Sequence, residues 1–434
     1  MNDFQKIFTC DCGKTHNAFI DQFIVEKNAI SRLGEFVKKY NGTKAFILAD
    51  KNTFIAGGEK AIAVLEQNSI AYSKYIFNED NLAPNESAVG SAIMHFDKSC
   101  DIIVAVGSGV INDIGKILAK TTSHPYIIVA TAPSMDGYAS ATSSMDMDGL
   151  KVSLRTVNAN VVIGDIDILK TAPEHMLISG LGDMLAKFVS IAEWKIANII
   201  TGEYYCDKVA NIVISALNEC VKNAKGLLKR DDDAIKAVFN GLVLGGVAMN
   251  YAGLSRPASG VEHYFSHVWD MRGLEFNLKT ELHGIQCAVG TLYATKIYEQ
   301  VKKVVPNREK ALSFAKNFDY NAYCEFLKEF LGKGALSMIE LDKKEQKYNL
   351  EKHEKRLAVI EKNWDKILEI INEMPSSNDI ESLLDTIKAP KSASEMGIDE
   401  SNLKSVFLAT KDIRDKYVLS RLCWDLGIIN QIEI

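Results

Sequence analysis

Asp101-Ile-Ile-Val-Ala-Val106-Gly-Ser-Gly109-Val-Ile-Asn-Asp113 is the stretch on which the fold turns. After Asp101, Ile102 to Val106 form a compact apolar run, and the stretch reads as a buried parallel strand. Gly107-Ser108-Gly109 turns the chain sharply, and Val110 to Lys120 reads as a helix. Glycines let the backbone approach a diphosphate, and a helix N-terminus offers N–H groups and a positive dipole end. The turn is therefore a phosphate candidate. It is not an ordinary Rossmann fingerprint, because Asn112 stands where Gly-x-Gly-x-x-Gly has its third glycine.

Similar units lie on either side. Before it, Lys44-Ala-Phe-Ile-Leu-Ala-Asp50 is a second buried strand ending in an acid, followed by a helix (Gly58 to Asn68) and a strand (Ala71 to Phe77). Such an acid can hold a ribose 2′-hydroxyl; it can equally cap a helix beginning at Asn52-Thr53. After it, Tyr126-Ile-Ile-Val-Ala130 leads into a hydroxyl-rich run, Thr131-Ala-Pro-Ser134-Met-Asp136-Gly-Tyr-Ala-Ser140-Ala-Thr-Ser-Ser144. Polar loops at the carboxyl ends of strands are where α/β sheets place ligands. Residues 151–168 alternate like a short hairpin followed by a last strand, Val161 to Asp165.

From Pro173 the pattern becomes helical. Leu181-Gly-Asp183-Met-Leu-Ala-Lys187 reads as the start of an amphipathic helix, with Asp183 in its first turns, where a carboxylate complements the dipole or serves as a metal ligand. Helices are expected over 203–228, 234–251 and Gly284 to Gln300, and in the tail from Ser401. Three of the eight histidines cluster in Ser255-Arg-Pro-Ala-Ser-Gly-Val-Glu-His263-Tyr-Phe-Ser-His267 and Leu-His283-Gly. On a helix, His263 and His267 share a face. With a third imidazole and a carboxylate they would make an open site for zinc or nickel. Residues 341–366 are dense in charge and read as a solvated helix pair or an insertion. Cys10-Asp-Cys12-Gly, with His16 following, lacks the second ligand pair of a zinc site and reads as a turn between two short strands.

At 434 residues two domains are expected. A composition 47% hydrophobic and 24% charged suits a globular chain, and a net charge of -6 argues against a general nucleic-acid binder. The first residues hold no signal-peptide core, and the most apolar stretch, Ala237 to Leu254, is broken by Asn240 and Asn250, so no membrane association is expected. Scattered cysteines and the absence of a leader point to a reducing cytoplasm.

Gly107-Ser-Gly-Val-Ile-Asn-Asp113, Thr131-Ala-Pro-Ser-Met-Asp136, Gly182-Asp183, the Ser255–His267 block and Leu282-His283-Gly together resemble the sn-glycerol-1-phosphate dehydrogenase family. That family lies within the superfamily of iron-type alcohol dehydrogenases, glycerol dehydrogenase and dehydroquinate synthase, and the likeness runs over about residues 8 to 430. It implies a Rossmann-like parallel-sheet dinucleotide-binding domain, residues 1–172, and a helical metal- and substrate-binding domain, residues 173–434. It implies that Asp183, His263 and His283 ligate one divalent metal, zinc or nickel. His267 would stand beside the substrate, with Asp136 on a substrate hydroxyl. Asp50, Gly107, Ser108, Gly109, Asn112, Asp113, Thr131, Ser134 and Ser140 would bind NAD or NADP. Lys187 occupies the place of the fourth ligand of iron-type enzymes. The implied reaction is NAD(P)H-dependent reduction of dihydroxyacetone phosphate by a homodimer, with Arg256 and Lys187 as candidates for the substrate phosphate.

Three rivals compete. A polyol dehydrogenase would act on unphosphorylated glycerol. A dehydroquinate-synthase-like lyase would need several cations around its substrate, and few flank this motif. A metal-dependent binding protein without catalysis would not need both the ligand set and the cofactor loops.

Overall fold

The computed structural model describes residues 5–434. In chain order the strands are β1 (Ile7–Thr9), β2 (Thr15–Asn17), β3 (Gln22–Glu26), β4 (Lys44–Asp50), β5 (Ala71–Phe77), β6 (Ile102–Gly107), β7 (Tyr126–Ala130), β8 (Thr142–Met147), β9 (Leu150–Arg155) and β10 (Val161–Asp165). Six of them form one sheet in the order β3-β10-β7-β6-β4-β5, with every neighbouring pair parallel. Helices cover a parallel sheet on both faces, which is why its central strands read as unbroken apolar runs. β6, β7 and β10 are buried throughout. The chain steps outward from β4 to β5, then places β6, β7 and β10 on the other side of β4. The switch point therefore falls between β4 and β6, whose carboxyl ends carry Asp50 and Gly107. Open α/β sheets bind ligands at such a point.

β8 pairs antiparallel with β9, from Thr142↔Arg155 to Met147↔Leu150. The hairpin thus begins inside the hydroxyl-rich run and not after residue 150. Ser143 and Met145 point inward while Thr142 and Ser144 are exposed, a period-two pattern that the many hydroxyls disguise.

Two compact units result, each from two stretches of chain: the residues up to Met184 with Lys208–Leu254, and Leu185–Asp207 with Ser255–Ile434. A boundary at 172/173 marks the change from strands to helices, whereas the units follow packing. Helix Glu174–Leu185, and helices Asp207–Leu227 and Asp232–Ala252, belong essentially to the first unit. Phe239 lies against β10 so closely that a Cβ on Gly164 would come within 2.3 Å of its ring. Gly180 lets helix Glu174–Leu185 rest on the loop after β7, since a Cβ there would stand 1.7 Å from the Pro133 carbonyl oxygen. Asp183 is near the end of that helix, not in its first turns, so it does not complement a helix N-terminus.

The described part of the second unit is helical. Helices Val261–Phe276 and His283–Val301 approach closely because Gly290 faces backbone, its notional Cβ being 2.5 Å from the Glu262 carbonyl oxygen. The charged segment forms parts of helices Gly334–Glu345, Leu350–Lys362 and Trp364–Glu373. Its outer faces are solvated, but its inner face is anchored: Arg356 makes a bidentate pair with buried Asp425 at 2.7 and 2.8 Å, and His353 Nε2 lies 2.9 Å from the Asp425 carbonyl oxygen. The run Glu174–Thr201 is long and apolar enough to cross a membrane by length and composition alone; 83% of its most apolar window is buried in the fold.

Candidate active site

The first unit brings together most of the residues expected around a dinucleotide. Gly107 ends β6, and a Cβ there would meet Ile111 Cβ at 2.4 Å, so the turn requires glycine for close strand–helix packing. Gly109 is less constrained; its notional Cβ meets Met135 at an ordinary 3.5 Å. Ser108 is the N-cap of the 14-residue helix Gly109–Thr122, yet its side chain makes no capping bond. The first N–H groups of that helix thus have no side-chain cap, as an anion site at a helix start requires.

The polar residues behind the turn brace the loop. Asn112 is fully buried; its amide donates to the Gly137 carbonyl at 3.1 Å and accepts from the Tyr126 hydroxyl at 3.0 Å. Buried Lys116 donates to the carbonyls of Gly137 and Thr142 at 2.6 and 2.9 Å, and to the Ser140 hydroxyl at 3.4 Å. Asp113 faces Lys116 at 3.5 Å and accepts the Ser144 N–H at 3.2 Å. Burial pushes the Asp113 carboxyl up against the pull of Lys116, and burial lowers Lys116 against the pull of Asp113. The side chains of Asn112, Asp113 and Ser140 therefore hold residues 137–144 in place. Thr131 N–H donates to the Gly107 carbonyl at 3.1 Å, tying this loop to the turn, and the Ser134 carbonyl accepts from Ser179 at 2.9 Å. Asp50 does what a capping residue does: its Oδ1 accepts the N–H groups of Asn52 and Thr53 at 2.8 and 2.9 Å. Its position at the switch point still suits a ribose. Asp136 N–H donates to buried Asp183 at 2.9 Å, which fixes the orientation of that carboxylate.

In the second unit the three histidines meet. The rings of His263 and His283 are 5.1 Å apart, and those of His267 and His283 are 5.9 Å apart. His263 Nδ1 lies 2.8 Å from Glu262 Oε1, and His283 Nδ1 lies 2.9 Å from Ser266 Oγ. With both Nδ1 atoms engaged, each ring presents Nε2, the arrangement by which outer partners orient metal-binding imidazoles. Cys287 joins them; its sulfur is 3.6 Å from His283 Nε2, and ligand atoms of His263, His283 and Cys287 all lie within 4.8 Å of one another. Burial raises the Cys287 thiol, but the two imidazoles outweigh it and the net shift is downward. The donor set fits a borderline metal such as zinc or nickel. His267 keeps some accessible surface but is crowded by protein. Desolvation drives its pKa well below the ordinary histidine value, helped by the charges of Arg414, His283, His263 and Lys416.

Arg256 is not available for a phosphate. It is fully buried, pairs with Glu203 through Nε at 2.7 Å and Nη2 at 2.5 Å, and donates from Nη1 to the Tyr417 carbonyl at 2.8 Å. Lys187 is likewise buried. Arg414 and Lys416, to which the sequence reading gave no role, are the cations whose charge reaches His267; Lys416 also donates to the Ser259 carbonyl at 2.9 Å.

These features have counterparts among known proteins. A sequence model of iron-containing alcohol dehydrogenases matches residues 24–173. Glycerol-1-phosphate dehydrogenase (NAD(P)+) of Halalkalibacterium halodurans is 27% identical over 396 residues, 90% of this chain and 89% of that protein. The enzyme of the same name from Bacillus subtilis (strain 168) is 30% identical over 72% of this chain and 82% of its own length. That of Thermococcus sibiricus is 32% identical over 63% and 80%. In three dimensions the crystal structure of glycerol dehydrogenase from Schizosaccharomyces pombe covers 95% of this chain and is itself covered to 89%, with a TM-score of 0.61 at 18% identity, a likeness of fold. A parallel sheet with a glycine turn at its switch point, a helical unit carrying the histidines, and these degrees of identity over most of the relatives' length have one explanation: the chain belongs to the glycerol-1-phosphate dehydrogenase family.

Proposed function

We propose that the chain is a metal-dependent oxidoreductase that uses NADH or NADPH to reduce dihydroxyacetone phosphate to sn-glycerol 1-phosphate, reversibly, in the supply of glycerophospholipid backbones. The observation that carries this reading is the pair of imidazoles, His263 and His283, each held at Nδ1 so that Nε2 is presented, in a chain whose relatives bear that activity in their names. Asp183, His263 and His283 are the proposed ligands of one divalent ion, zinc or nickel. Bound there, the ion supplies Lewis-acid polarisation of the substrate ketone.

The remaining roles fall to the chain's own groups. The uncapped N–H groups at the start of helix Gly109–Thr122 bind the dinucleotide diphosphate, and Asp50 the adenosine ribose. Asp136 orients a substrate hydroxyl. His267, kept neutral by its surroundings, accepts a proton at one ring nitrogen and passes one on from the other, so it moves the proton of the C2 hydroxyl in either direction. Arg414 supplies positive charge for the substrate phosphate. A homodimer in the cytoplasm belongs to the same reading, and light scattering on the purified chain checks the assembly. The deciding experiment follows NADH and NADPH oxidation with dihydroxyacetone phosphate against dihydroxyacetone, with chiral analysis of the product. Strong preference for the phosphorylated ketone and formation of the sn-1 product are expected. Equal rates on dihydroxyacetone would turn the reading into a polyol dehydrogenase.

A further inference from the structure

The β1–β2 hairpin carries a second cluster of metal-ligand side chains, at a place the dehydrogenase reaction does not use. The turn between the strands holds Cys10 and Cys12, and His16 lies at the middle of β2. Cys10 N–H bonds to the Lys14 carbonyl and Gly13 N–H to the Cys10 carbonyl, both at 3.0 Å. Gly13 takes φ +86°, a conformation that L side chains rarely adopt, and this closes the turn tightly enough to fold both sulfurs toward the histidine. Ligand atoms of Cys10, Cys12 and His16 lie within 4.8 Å of one another.

Three features distinguish the cluster from a chance meeting of side chains. Cys12 Sγ is 3.3 Å from His16 Nε2. A tetrahedral zinc with its usual sulfur and nitrogen bond lengths places neighbouring S and N ligands about 3.5 Å apart. His16 is fully buried, and its Nδ1 lies 2.7 Å from the Tyr251 carbonyl oxygen. A carbonyl only accepts, so Nδ1 carries the proton and Nε2 presents its lone pair toward the sulfurs. The ring is also fixed in place, with Phe8 at 4.8 Å and Tyr251 at 6.0 Å between centroids.

We propose that Cys10, Cys12 and His16 hold a structural zinc ion, with the fourth position taken by a water. Binding displaces one proton from each of the two thiols to solvent, and two thiolates neutralise the 2+ charge, so the ion can sit beside buried aromatic rings without a net charge. Soft sulfur ligands select zinc over magnesium or calcium. The ion closes the N-terminal hairpin on itself, and the bond from His16 Nδ1 to the Tyr251 carbonyl ties that hairpin to the helix carrying Tyr251.

The test uses the full chain, loaded with zinc or with cobalt(II), and reads metal rather than turnover. Cobalt-loaded wild type should show a thiolate-to-cobalt charge-transfer band. Cys12→Ser and His16→Ala should each lose one zinc per chain, and Cys12→Ser should weaken the band. His283→Ala should keep the hairpin's zinc and the band, which separates this site from the proposed catalytic metal. Should the variants fail to fold, alkylation of wild type settles the question: zinc should protect Cys10 and Cys12 from iodoacetamide, and a chelator should expose them. Equal alkylation of these two thiols with and without zinc, or a zinc content in folded Cys12→Ser equal to that of wild type, would overturn the proposal.

Discussion

His263, His267 and His283 lie within one cluster, and the proposed reaction gives them different tasks. His263 and His283 each have an outer partner at Nδ1, Glu262 and Ser266. His283→Ala should therefore lower metal content and activity together; metal analysis showing full occupancy in that variant would remove His283 from the site. His267→Asn should keep the metal and nicotinamide affinity while the rate falls roughly 10²–10⁴-fold, the usual worth of positioned acid–base catalysis. A metal-free His267→Asn would make His267 a ligand. Asp50 caps a helix and is the proposed ribose ligand. Replacing it by alanine removes a helix cap, at a cost of about 1 kcal/mol, and also removes the charge that repels a 2′-phosphate. Asp50→Ala should shift the preference toward NADPH, and steady-state rates with both nucleotides measure it. An unchanged ratio alongside a lowered melting temperature would leave only the cap.

At the scale of elements, close approaches made possible by glycine position the site. Helix Glu174–Leu185 carries Asp183 and touches the loop after β7 at Gly180, where no side chain fits beside the Pro133 carbonyl. Gly180→Ala must displace that backbone, and with it the loop that leads to Asp136. We expect a loss of roughly 1–3 kcal/mol, as overpacking typically gives, and a drop in activity larger than the loss of folded protein explains. Denaturant melts and rates on the same sample check both; wild-type values would show that the loop yields freely. The same helix shows where the sequence was legible. The buried parallel strands read correctly because burial on both faces leaves an apolar run with few alternatives, as in Ile102–Gly107 and Tyr126–Ala130. The sequence places the helix start at Leu181, about two turns after Glu174, because Gly180 and Gly182 lower helix propensity and only packing explains their presence. Arg256 stood inside the most recognisable motif and so looked like a phosphate ligand, but its partner Glu203 is 53 positions away and no local pattern points to it. Cys287 did leave a signal, four residues after His283 on one helix face, which core packing alone would also produce.

For the whole molecule, the sequence revealed the two kinds of architecture but not how the chain is shared between them. Helix Asp232–Ala252 belongs to the sheet-bearing unit and rests on β10 through Phe239 and Gly164. A fragment ending at residue 172 should therefore expose the surface that this helix covers, bind a hydrophobic dye and precipitate. A fragment ending at residue 172 that gives a sharp melt and no dye binding would show that the strands and their own helices suffice.

The interleaving of the units has a further consequence on the ribosome. Once residue 254 has left the exit tunnel, every part of the sheet-bearing unit is available and can fold while synthesis continues. Leu185–Asp207 has already emerged by then, but its helical partners begin only at Ser255. This apolar segment, with Trp194 and Ile200 buried in the finished protein, must wait for those partners during translation, which leaves it open to chaperones and proteases.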